Sequence, residues 1–474
     1  MPKTIDDAPT EDFELSLHGA RAVRGPREVH ALVIAWSRAE PDRVGEVARI
    51  ERACVLGRGS APASDGAPRA RFVRQRPWGD GPSEPLASPR LSREQLRIEP
   101  TAKGLRVASI GRAPMWISGE PATEREIVPG DTVRIADELL LLAVRRPTRM
   151  DAQRAWGEDE APFAFGAPDR FGLVGESVAA WTLRDRVAFA ARADAHVLLL
   201  GASGTGKELV ARAIHQLSSR ASGPLVARNA ATLPEGLVDA ELFGNVRNYP
   251  NPGMAERPGL VGEADKGTLF LDEIGEMPST AQAHLLRVLD RDGEYQRLGD
   301  ARPRRASIRV VGATNRARDE LKHDVRARFG IVLEIPQLDA RPDDVPLLVR
   351  HLVSIAATKT RVPAPEPSIE LVDALLRHRY ELNVRELEQL LWQAMAESRA
   401  GKLELVPSLV DRLATPEREG EPAGEEKEPD REAIEAAIAR AGGSVTKAAR
   451  ELGLRNRYVL YRLLRKHGIA VDGL

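Results

Sequence analysis

The stretch that decides the fold is His196-Val-Leu-Leu-Leu-Gly-Ala-Ser-Gly-Thr-Gly-Lys-Glu208. Its apolar first half predicts a buried strand, and Leu209 to Leu217 has the apolar spacing of a helix. The glycines between them let successive backbone N–H groups turn inward, and the helix N-terminus adds positive field. This order predicts an ATP-binding loop in which Lys207 reaches the outer phosphates. Its predicted nucleotide contacts are Gly201, Ala202, Ser203, Gly204, Thr205, Gly206, Lys207 and Glu208.

Two acids follow a second apolar run, Gly267-Thr-Leu-Phe-Leu-Asp272-Glu273. Open α/β sheets place ligands at the carboxyl ends of their strands, so we expect both side chains near the phosphates. Asp272 would hold Mg²⁺, and Glu273 would act as general base toward the attacking water. Glu208 stands where a Ser or Thr usually helps to bind Mg²⁺, so the ion must depend on other ligands. Taken alone, each motif has an alternative: a turn with a solvated lysine, or a solvated acidic turn.

The chain of 474 residues is too long for a single core and is predicted to be multidomain. Alternating runs such as Ala31–Trp36, Thr132–Ile135 and Leu139–Val144 predict a β-sandwich, with a long exposed loop at Gly57–Pro89. Strand and helix periods then alternate, as in a parallel sheet. The predicted divisions are a tail at 1–28, the sandwich at 29–147, a linker at 148–169, an α/β core at 170–341, a helical lid at 342–414, a flexible tether at 415–429 and a basic helical domain at 430–474.

Bulk composition excludes several classes of protein. No apolar run approaches the length that crosses a bilayer, and the acidic, polar start lacks the features of a secretory signal. Cys54 is the only cysteine, which excludes an internal disulfide and a cysteine metal cluster. We therefore expect a cytoplasmic protein without a membrane partner. Lys plus Arg (69) nearly cancels Asp plus Glu (70), so overall charge does not indicate a nucleic acid partner.

Several ordered motifs between Phe171 and Gly468 resemble the NtrC family of bacterial enhancer-binding proteins, which are sigma-54 activators built on an AAA+ ATPase. The matching segments are Leu173-Val-Gly-Glu-Ser177, Ala227-Arg-Asn229-Ala-Ala, Glu241-Leu-Phe-Gly244, Leu285-Leu-Arg-Val-Leu289 and Gly312-Ala-Thr-Asn315-Arg316. The resemblance implies a homo-oligomer, which in this family is a hexamer, that binds promoter DNA and uses ATP and Mg²⁺ to remodel the sigma-54 RNA polymerase holoenzyme.

The resemblance also implies roles for single residues. Val174 would lie near the adenine, and Asn229 would restrain Glu273. Thr314 and Asn315 would sit beside the γ-phosphate as the first sensor. Arg385, in Asn383-Val-Arg385-Glu-Leu387, matches the second sensor in the lid, although Tyr380-Glu-Leu382 replaces the usual Trp-Pro-Gly before it. A helical surface salt bridge is the alternative for Arg385.

Two arginines of the family pattern reach into the nucleotide of a neighbouring subunit. The corresponding segment here is Leu321-Lys322-His-Asp324-Val-Arg-Ala-Arg328. Arg328 is the finger candidate, whereas Lys322 replaces the first arginine. Lysine keeps the charge but lacks the planar fork that grips phosphate oxygens in pairs, so slow turnover is expected.

Family members contact sigma-54 through a Gly-Ala-Phe-Thr-Gly-Ala loop. The corresponding residues here are Asn248, Tyr249, Pro250, Asn251, Pro252 and Gly253. The two prolines fix φ and make this loop stiffer than a glycine-flanked tip. Either Tyr249 takes over the contact, or the motor acts on a partner other than sigma-54.

The C-terminal segment resembles a Fis-type helix-turn-helix. Helices are predicted at Ala433–Arg440, Val445–Leu452 and Arg455–His467, the third entering the major groove. Between Ser444 and Gly468 the sequence has many basic residues and a single acidic residue, Glu451. This excess of positive charge is typical of a surface that binds the phosphates of DNA. The candidate DNA contacts are Lys447, Arg455, Asn456, Arg457, Tyr458 and Arg462. A basic bundle for protein contact is the alternative.

The N-terminal sandwich resembles a forkhead-associated domain through Gly57-Arg58 and Leu91-Ser92-Arg93-Glu-Gln95. The resemblance implies a phosphothreonine protein or kinase as partner, with Arg58, Ser92 and Arg93 on the phosphate. Gln95 stands where the family has histidine, and Ala113 where it has asparagine. A sandwich used for protein or subunit contact is the alternative. For the whole chain, two other hypotheses stay open: a DNA-binding regulator that uses ATP only to assemble, and a phospho-signalling adaptor that no longer contacts sigma-54.

Overall fold

The computed structural model describes residues 27–157, 163–233, 235–277, 279–290, 293–316, 323–399, 401–413, 429 and 431–440, and the single positions 448, 452, 460 and 464. The chain divides into two compact units between Thr415 and Pro416. Most of the predicted tail (1–28) and tether (415–429) lies outside the described residues. Within the described part, no helix is long and apolar enough to cross a membrane.

The first unit begins with two antiparallel sheets that pack on one another, as predicted. The larger sheet has the strand order β2-β1-β12-β11-β8-β9 and the smaller one β10-β7-β6-β3. Buried side chains of both sheets belong to one hydrophobic cluster. The strands are β1 Glu28–Ser37, β2 Val47–Arg49, β3 Cys54–Leu56, β4 Arg74–Arg76, β5 Gly79–Gly81, β6 Leu96–Pro100, β7 Leu105–Ser109, β8 Met115–Ile117, β9 Glu120–Ala122, β10 Glu124–Ile127, β11 Thr132–Ile135 and β12 Leu139–Pro147.

The segment Gly57–Pro89 is not the exposed loop that its composition predicts. Strands β4 and β5 pair as a hairpin within it. Phe72 and Leu86 are buried, and the Gln75 amide donates to the carbonyl of Pro147 at 2.7 Å. A few anchoring side chains therefore hold this Gly- and Pro-rich segment against the sandwich, which composition alone does not indicate.

The predicted linker also packs on its neighbours. The backbone N–H groups of Arg154, Ala155 and Trp156 all donate to one carboxylate oxygen of Asp185, at 2.7 to 3.0 Å. Trp156 is 1% exposed. This part of the linker is therefore fixed to the first helix of the α/β core.

A five-stranded parallel sheet with the order β14-β15-β18-β13-β19 forms that core, as the sequence predicts. The order brings the carboxyl ends of β13, β15 and β18 together at one edge. The elements are α1 Val178–Arg192, β13 Val197–Leu200, α2 Lys207–Leu217, β14 Leu225–Asn229, α3 Val238–Phe243, α4 Gly259–Glu263, β15 Thr268–Asp272, α5 Ser279–Leu289, β16 Glu294–Tyr295, β17 Arg304–Arg305, β18 Arg309–Thr314, α6 His323–Arg328 and β19 Ile331–Glu334.

A helical lid follows the core. It contains α7 Val345–Thr360, β20 Glu366–Pro367, α8 Ile369–Arg377, α9 Asn383–Glu397, β21 Lys402–Leu403 and α10 Pro407–Leu413. Helix α8 contacts β1, β11 and β12 of the sandwich. Strand β12 is therefore covered on both faces, which explains why Leu139–Val144 is continuously apolar rather than alternating.

The second unit contains α11, Arg431–Arg440, which confirms the first helix predicted there. Ile434 and Ala437 of this helix are buried. Ala448, Leu460 and Leu464 are also buried. The other residues of the second and third predicted helices lie outside the described residues, apart from Leu452, whose N–H donates to the Ala448 carbonyl at 3.0 Å.

Candidate nucleotide site

The glycine-rich loop joins the carboxyl end of β13 to the first residue of α2, Lys207. Gly204 and Gly206 have φ angles of +77° and +98°, a left-handed conformation that side chains rarely adopt. Both positions therefore favour glycine. The loop ends at the unpaired N–H groups of a helix N-terminus, which is an arrangement that binds phosphate.

Lys207 lies between this loop and the paired acids. Its ammonium donates to the Gly201 carbonyl at 2.9 Å and is 3.5 Å from a carboxylate oxygen of Glu273. The side chain is 7% exposed. A cation held in this position, with little competing water, can pair with phosphate oxygens at the loop.

Asp272 and Glu273 stand at the end of β15, as predicted. Burial raises the pKa of the Asp272 carboxyl; the charge of Lys207 opposes this rise and that of Glu273 adds to it. A carboxylate partly withdrawn from water and beside a second acid gains most from a bound cation. Asp272 therefore has the chemistry of a metal ligand.

Glu273 is oriented by the backbone directly after the neighbouring strand β18. One carboxylate oxygen accepts a hydrogen bond from the N–H of Asn315 at 3.1 Å, while the other faces Lys207. The residue itself has a left-handed φ of +51°. The carboxylate is thus held at the strand ends, beside the loop that would carry the outer phosphates.

The predicted contact between Asn229 and Glu273 is not formed in this structure. Asn229 is on β14 directly opposite Asp272 on β15, but its side-chain oxygen accepts from the N–H of Ala231 at 2.9 Å. It caps the short turn Ala230–Thr232. A short polar side chain at the start of a turn readily bonds its own backbone, and here that local bond takes the asparagine oxygen.

Three further residues predicted to contact the nucleotide are Thr314, Glu208 and Val174. Thr314 is fully buried, and its carbonyl accepts from the N–H of Gly201 at 3.2 Å. Glu208 turns away to pair with Arg212 at 2.7 Å in an exposed ion pair, so the acid that replaces the usual hydroxyl points elsewhere. Val174 is buried in a hydrophobic cluster that also contains Val345 of the lid.

The lid reaches the loop through Arg385. Its guanidinium donates to the Ser203 hydroxyl at 2.9 Å. The predicted second sensor therefore lies at the phosphate loop, whereas the alternative placed it in a helical surface salt bridge.

Arg328, the finger candidate, is half exposed at the end of α6 and pairs with the carboxylate of Asp290. Exposed pairs of this kind contribute about 0 to 1 kcal/mol, so the guanidinium is readily released to another anion. Lys322 lies outside the described residues.

The segment predicted to correspond to the sigma contact loop, residues 248–253, is closed by its own hydrogen bonds. The Asn248 side chain accepts from the N–H of Gly253 at 2.9 Å. The Tyr249 ring lies over Gly299 of a neighbouring loop, so closely that a β-carbon there would be 2.5 Å from the ring. Tyr249 nevertheless remains 42% exposed.

A residue that sequence reasoning missed holds the base of this loop. Asn245 is 2% exposed, and its side-chain amide donates to the carbonyls of Val246, Tyr249 and Ala255 at 3.0 to 3.2 Å. A polar residue directly after the Glu-Leu-Phe-Gly segment was the available signal. The stiffness predicted from the two prolines thus has a second source.

At one end of the sandwich the two candidate phosphopeptide segments, around Arg58 and Ser92, come together with the loop that contains Ala113. The Arg58 N–H donates to the Ser92 carbonyl at 3.1 Å, and the Ser92 hydroxyl accepts from the N–H of Arg112 at 3.0 Å. Gln95 is buried and its amide donates to the Ala113 carbonyl at 2.9 Å. Gln95 therefore ties two of the loops together. Arg93 is exposed beside them.

The six candidate DNA contacts, Lys447, Arg455, Asn456, Arg457, Tyr458 and Arg462, lie outside the described residues.

Three family models match successive parts of the chain. Residues 173–333 match the sigma-54 interaction domain, residues 339–424 an AAA+ ATPase lid domain, and residues 427–467 the bacterial regulatory proteins of the Fis family.

Curated relatives match over the same region. The transcriptional regulatory protein ZraR of Salmonella typhimurium is 36% identical over 316 residues, which is 65% of this chain and 71% of that protein. The anaerobic nitric oxide reductase transcription regulator NorR of Aeromonas salmonicida is 36% identical over 308 residues, 62% of this chain but 59% of that protein. A crystal structure of NtrX from Brucella abortus in complex with ATP shares 28% identity, with a TM-score of 0.46 over 63% of this chain and 70% of that one.

Proposed function

The chain belongs to the NtrC family of sigma-54-dependent activators and has the family's ATPase, and from that premise we propose that it is an ATP-driven transcription regulator that works as a ring. The observation that carries the proposal is the convergence of Lys207, Glu273 and the N–H of Asn315 at the phosphate loop. Arg328 would complete the site of a neighbouring subunit, which requires a homo-oligomer, in this family a hexamer.

In the proposed reaction, the loop N–H groups and Lys207 bind the phosphates. Glu273 accepts a proton from the attacking water, and Arg328 of the neighbour and Arg385 of the lid stabilise the charge that develops on the γ-phosphate. At nucleotide sites Mg²⁺ is usually bound by one or two protein carboxylates together with phosphate oxygens and water molecules. Asp272 can supply such a carboxylate. A Mg²⁺ ion held by Asp272 would neutralise negative charge on the phosphates.

Tyr249 is the proposed contact to sigma-54. The exposed aromatic ring is presented by a loop that Asn245 and Asn248 hold closed. A preformed loop loses little conformational entropy on binding, so a single aromatic side chain can act as the anchor. The DNA-binding unit would position this motor upstream of the promoter, through its third helix.

Replacing Tyr249 tests the contact directly. We expect Tyr249→Ala to abolish open-complex formation by sigma-54 polymerase, because it removes the proposed anchor, while the ATPase rate remains within about twofold of wild type. Tyr249→Phe keeps the ring over Gly299 and serves as the control. Open complexes formed equally by wild type and Tyr249→Ala would remove Tyr249 from the contact; none formed by wild type would favour a regulator that uses ATP only to assemble.

The sandwich is proposed to bind a phosphothreonine peptide at the loop cluster of Arg58, Ser92 and Arg93. The Arg58 side chain is half-buried, and its Nε atom has no hydrogen-bond partner among the described residues. A β-carbon at Gly57 would lie 2.2 Å from the Arg93 carbonyl oxygen, which explains the glycine before Arg58. Two arginines and a hydroxyl suit a phosphate dianion.

We expect Arg58→Ala to weaken binding of phosphothreonine peptides about 10-fold or more, because a charge-assisted hydrogen bond to the phosphate is lost. Fluorescence anisotropy with a phosphorylated peptide library and its unphosphorylated form measures this. Arg125→Ala, an exposed arginine on β10, is the matched control. Equal affinity in wild type and Arg58→Ala, or no preference for the phosphorylated library, would count against the phosphate assignment.

Direct contacts provide a route from the sandwich to the motor. The Arg134 guanidinium donates to Glu370 of α8 at 2.9 Å, and the Trp36 indole donates to the Pro367 carbonyl at 2.8 Å. Buried Arg146 pairs with Asp343, just before α7, at 2.6 Å and donates to the Glu176 carbonyl of the core at 3.0 Å. The sandwich thus contacts both the lid and the segment proposed to lie near the adenine. Peptide binding that moves the sandwich would therefore act on both parts of the nucleotide site.

A further inference from the structure

Asn383 begins lid helix α9 and is almost fully withdrawn from solvent, with 1% of its surface exposed. Its φ of +52° lies in the left-handed region, where asparagine is enriched among residues other than glycine. A buried amide needs hydrogen-bond partners to offset the loss of water. The partners of Asn383 therefore indicate what this residue does.

The Asn383 amide joins the lid to two parts of the α/β core. Its oxygen accepts from the N–H of Leu338 at 2.8 Å, in the turn that leads from the core into the lid. Its nitrogen donates to the carbonyl of Ser203 in the phosphate loop at 3.0 Å. The next residue, Val384, donates its N–H to the carbonyl of Gly204 at 3.1 Å.

These two bonds fix the direction of two phosphate-loop N–H groups. In a planar trans peptide the carbonyl and the following N–H point to opposite sides. Because the carbonyls of Ser203 and Gly204 point at α9, the N–H groups of Gly204 and Thr205 point away from the lid. The Thr205 N–H donates to the Ala202 carbonyl within the loop at 3.4 Å, so the Gly204 N–H is the group that this arrangement leaves for a phosphate.

The approach between lid and loop is close. A β-carbon at Gly204 would lie 2.0 Å from the Leu382 carbonyl oxygen and 2.9 Å from the Arg385 β-carbon. The absence of a side chain at Gly204 is therefore what lets α9 reach the loop backbone. Movement of the lid away from the core would remove both bonds at once.

We infer that Asn383 is a positioning residue for the ATPase: with the Val384 N–H it holds the Ser203–Gly204 and Gly204–Thr205 peptides in the orientation that turns the Gly204 N–H toward the nucleotide phosphates. Nucleotide affinity then depends on contact between lid and loop. The inference rests on nucleotide binding at this loop and is independent of the sigma-54 contact.

Two substitutions in the full-length protein separate the amide from the backbone conformation. Asn383→Gly keeps the left-handed φ and removes the side chain. Asn383→Asp keeps the shape but replaces the donor to Ser203 with an acceptor. Gln389→Glu, the same chemical change at an exposed position of α9, is the matched control. The measurements are the Kd of a fluorescent ADP analogue, KM and kcat for ATP, and the melting temperature.

We expect the Kd and KM to rise about 5- to 10-fold in Asn383→Gly and about 10- to 100-fold in Asn383→Asp, in which two oxygens face each other in a buried site. The kcat at saturating ATP should change less than KM, because the lost interaction acts on binding. Gln389→Glu should match wild type. A Kd for Asn383→Gly within twofold of wild type, even with a lowered melting temperature, would overturn the inference. Should Asn383→Asp fail to fold, Asn383→Gly decides alone. A wild-type chain without affinity for the analogue would instead contradict nucleotide binding itself.

Discussion

Glu273→Gln is expected to reduce ATP turnover about 10²- to 10⁴-fold, the usual contribution of a general base, while nucleotide binding is retained. Glutamine has nearly the same shape, and its side-chain oxygen can still accept from the N–H of Asn315, as the carboxylate does at 3.1 Å. What it loses is the basic oxygen that accepts the proton of the attacking water. Phosphate release measures turnover, and titration with a fluorescent ATP analogue measures binding.

Glu263→Gln, at an exposed glutamate that ends α4, makes the same change away from the site and should leave both quantities unchanged. A Glu273→Gln protein that hydrolyses ATP within tenfold of the wild-type rate would show that another group activates the water.

Arg328→Ala is expected to lower kcat about 10³-fold or more, the range for an arginine that stabilises the transferred phosphate. In the single chain Arg328 pairs with Asp290, both about half exposed, and does not take part in the hydrogen bonds around Lys207 and Glu273. Its effect should therefore appear only through a neighbouring subunit. Arg399→Ala, at an exposed arginine of the lid, is the control and should keep the wild-type rate.

Mixing the two inactive proteins shows whether the site is shared. A subunit with Arg328→Ala keeps Glu273, and a subunit with Glu273→Gln keeps Arg328, so some mixed interfaces contain both groups. We expect the mixture to recover a measurable fraction of wild-type ATPase. Activity no greater than the sum of the separate proteins would mean that Arg328 does not act across subunits.

Local sequence patterns predicted the parts of the fold that local forces determine. The run before Gly201 is apolar because β13 is an interior strand of the sheet, between β18 and β19. Asp272 is the last residue of β15, where a strand that ends at the ligand edge no longer needs an apolar residue. The strands of the sandwich were predicted from their local alternation of apolar and polar residues, and β11 has the predicted bounds, Thr132–Ile135.

Long-range contacts were the part that the sequence could not reveal. Nothing near Arg154 in the chain indicates that Asp185 will bind its backbone, and nothing near Arg134 points to Glu370, more than two hundred residues away. The same limit applies in the site. The resemblance predicts a contact between Asn229 and Glu273, but the Asn229 side-chain oxygen instead accepts a hydrogen bond within a local turn. The role of Asn383 follows from its hydrogen bonds to Leu338 and Ser203, which are distant in the sequence.

The most direct test of the proposed function is a pull-down of sigma-54 by the full-length protein trapped with ADP and aluminium fluoride. The ATPase rate of the same protein is measured alongside. If Tyr249 on its closed loop replaces the family's contact, sigma-54 should be retained in the trapped state and released with ADP alone. Strong ATPase activity without retention of sigma-54 in either state would contradict the proposal and would mean that the motor acts on a different partner.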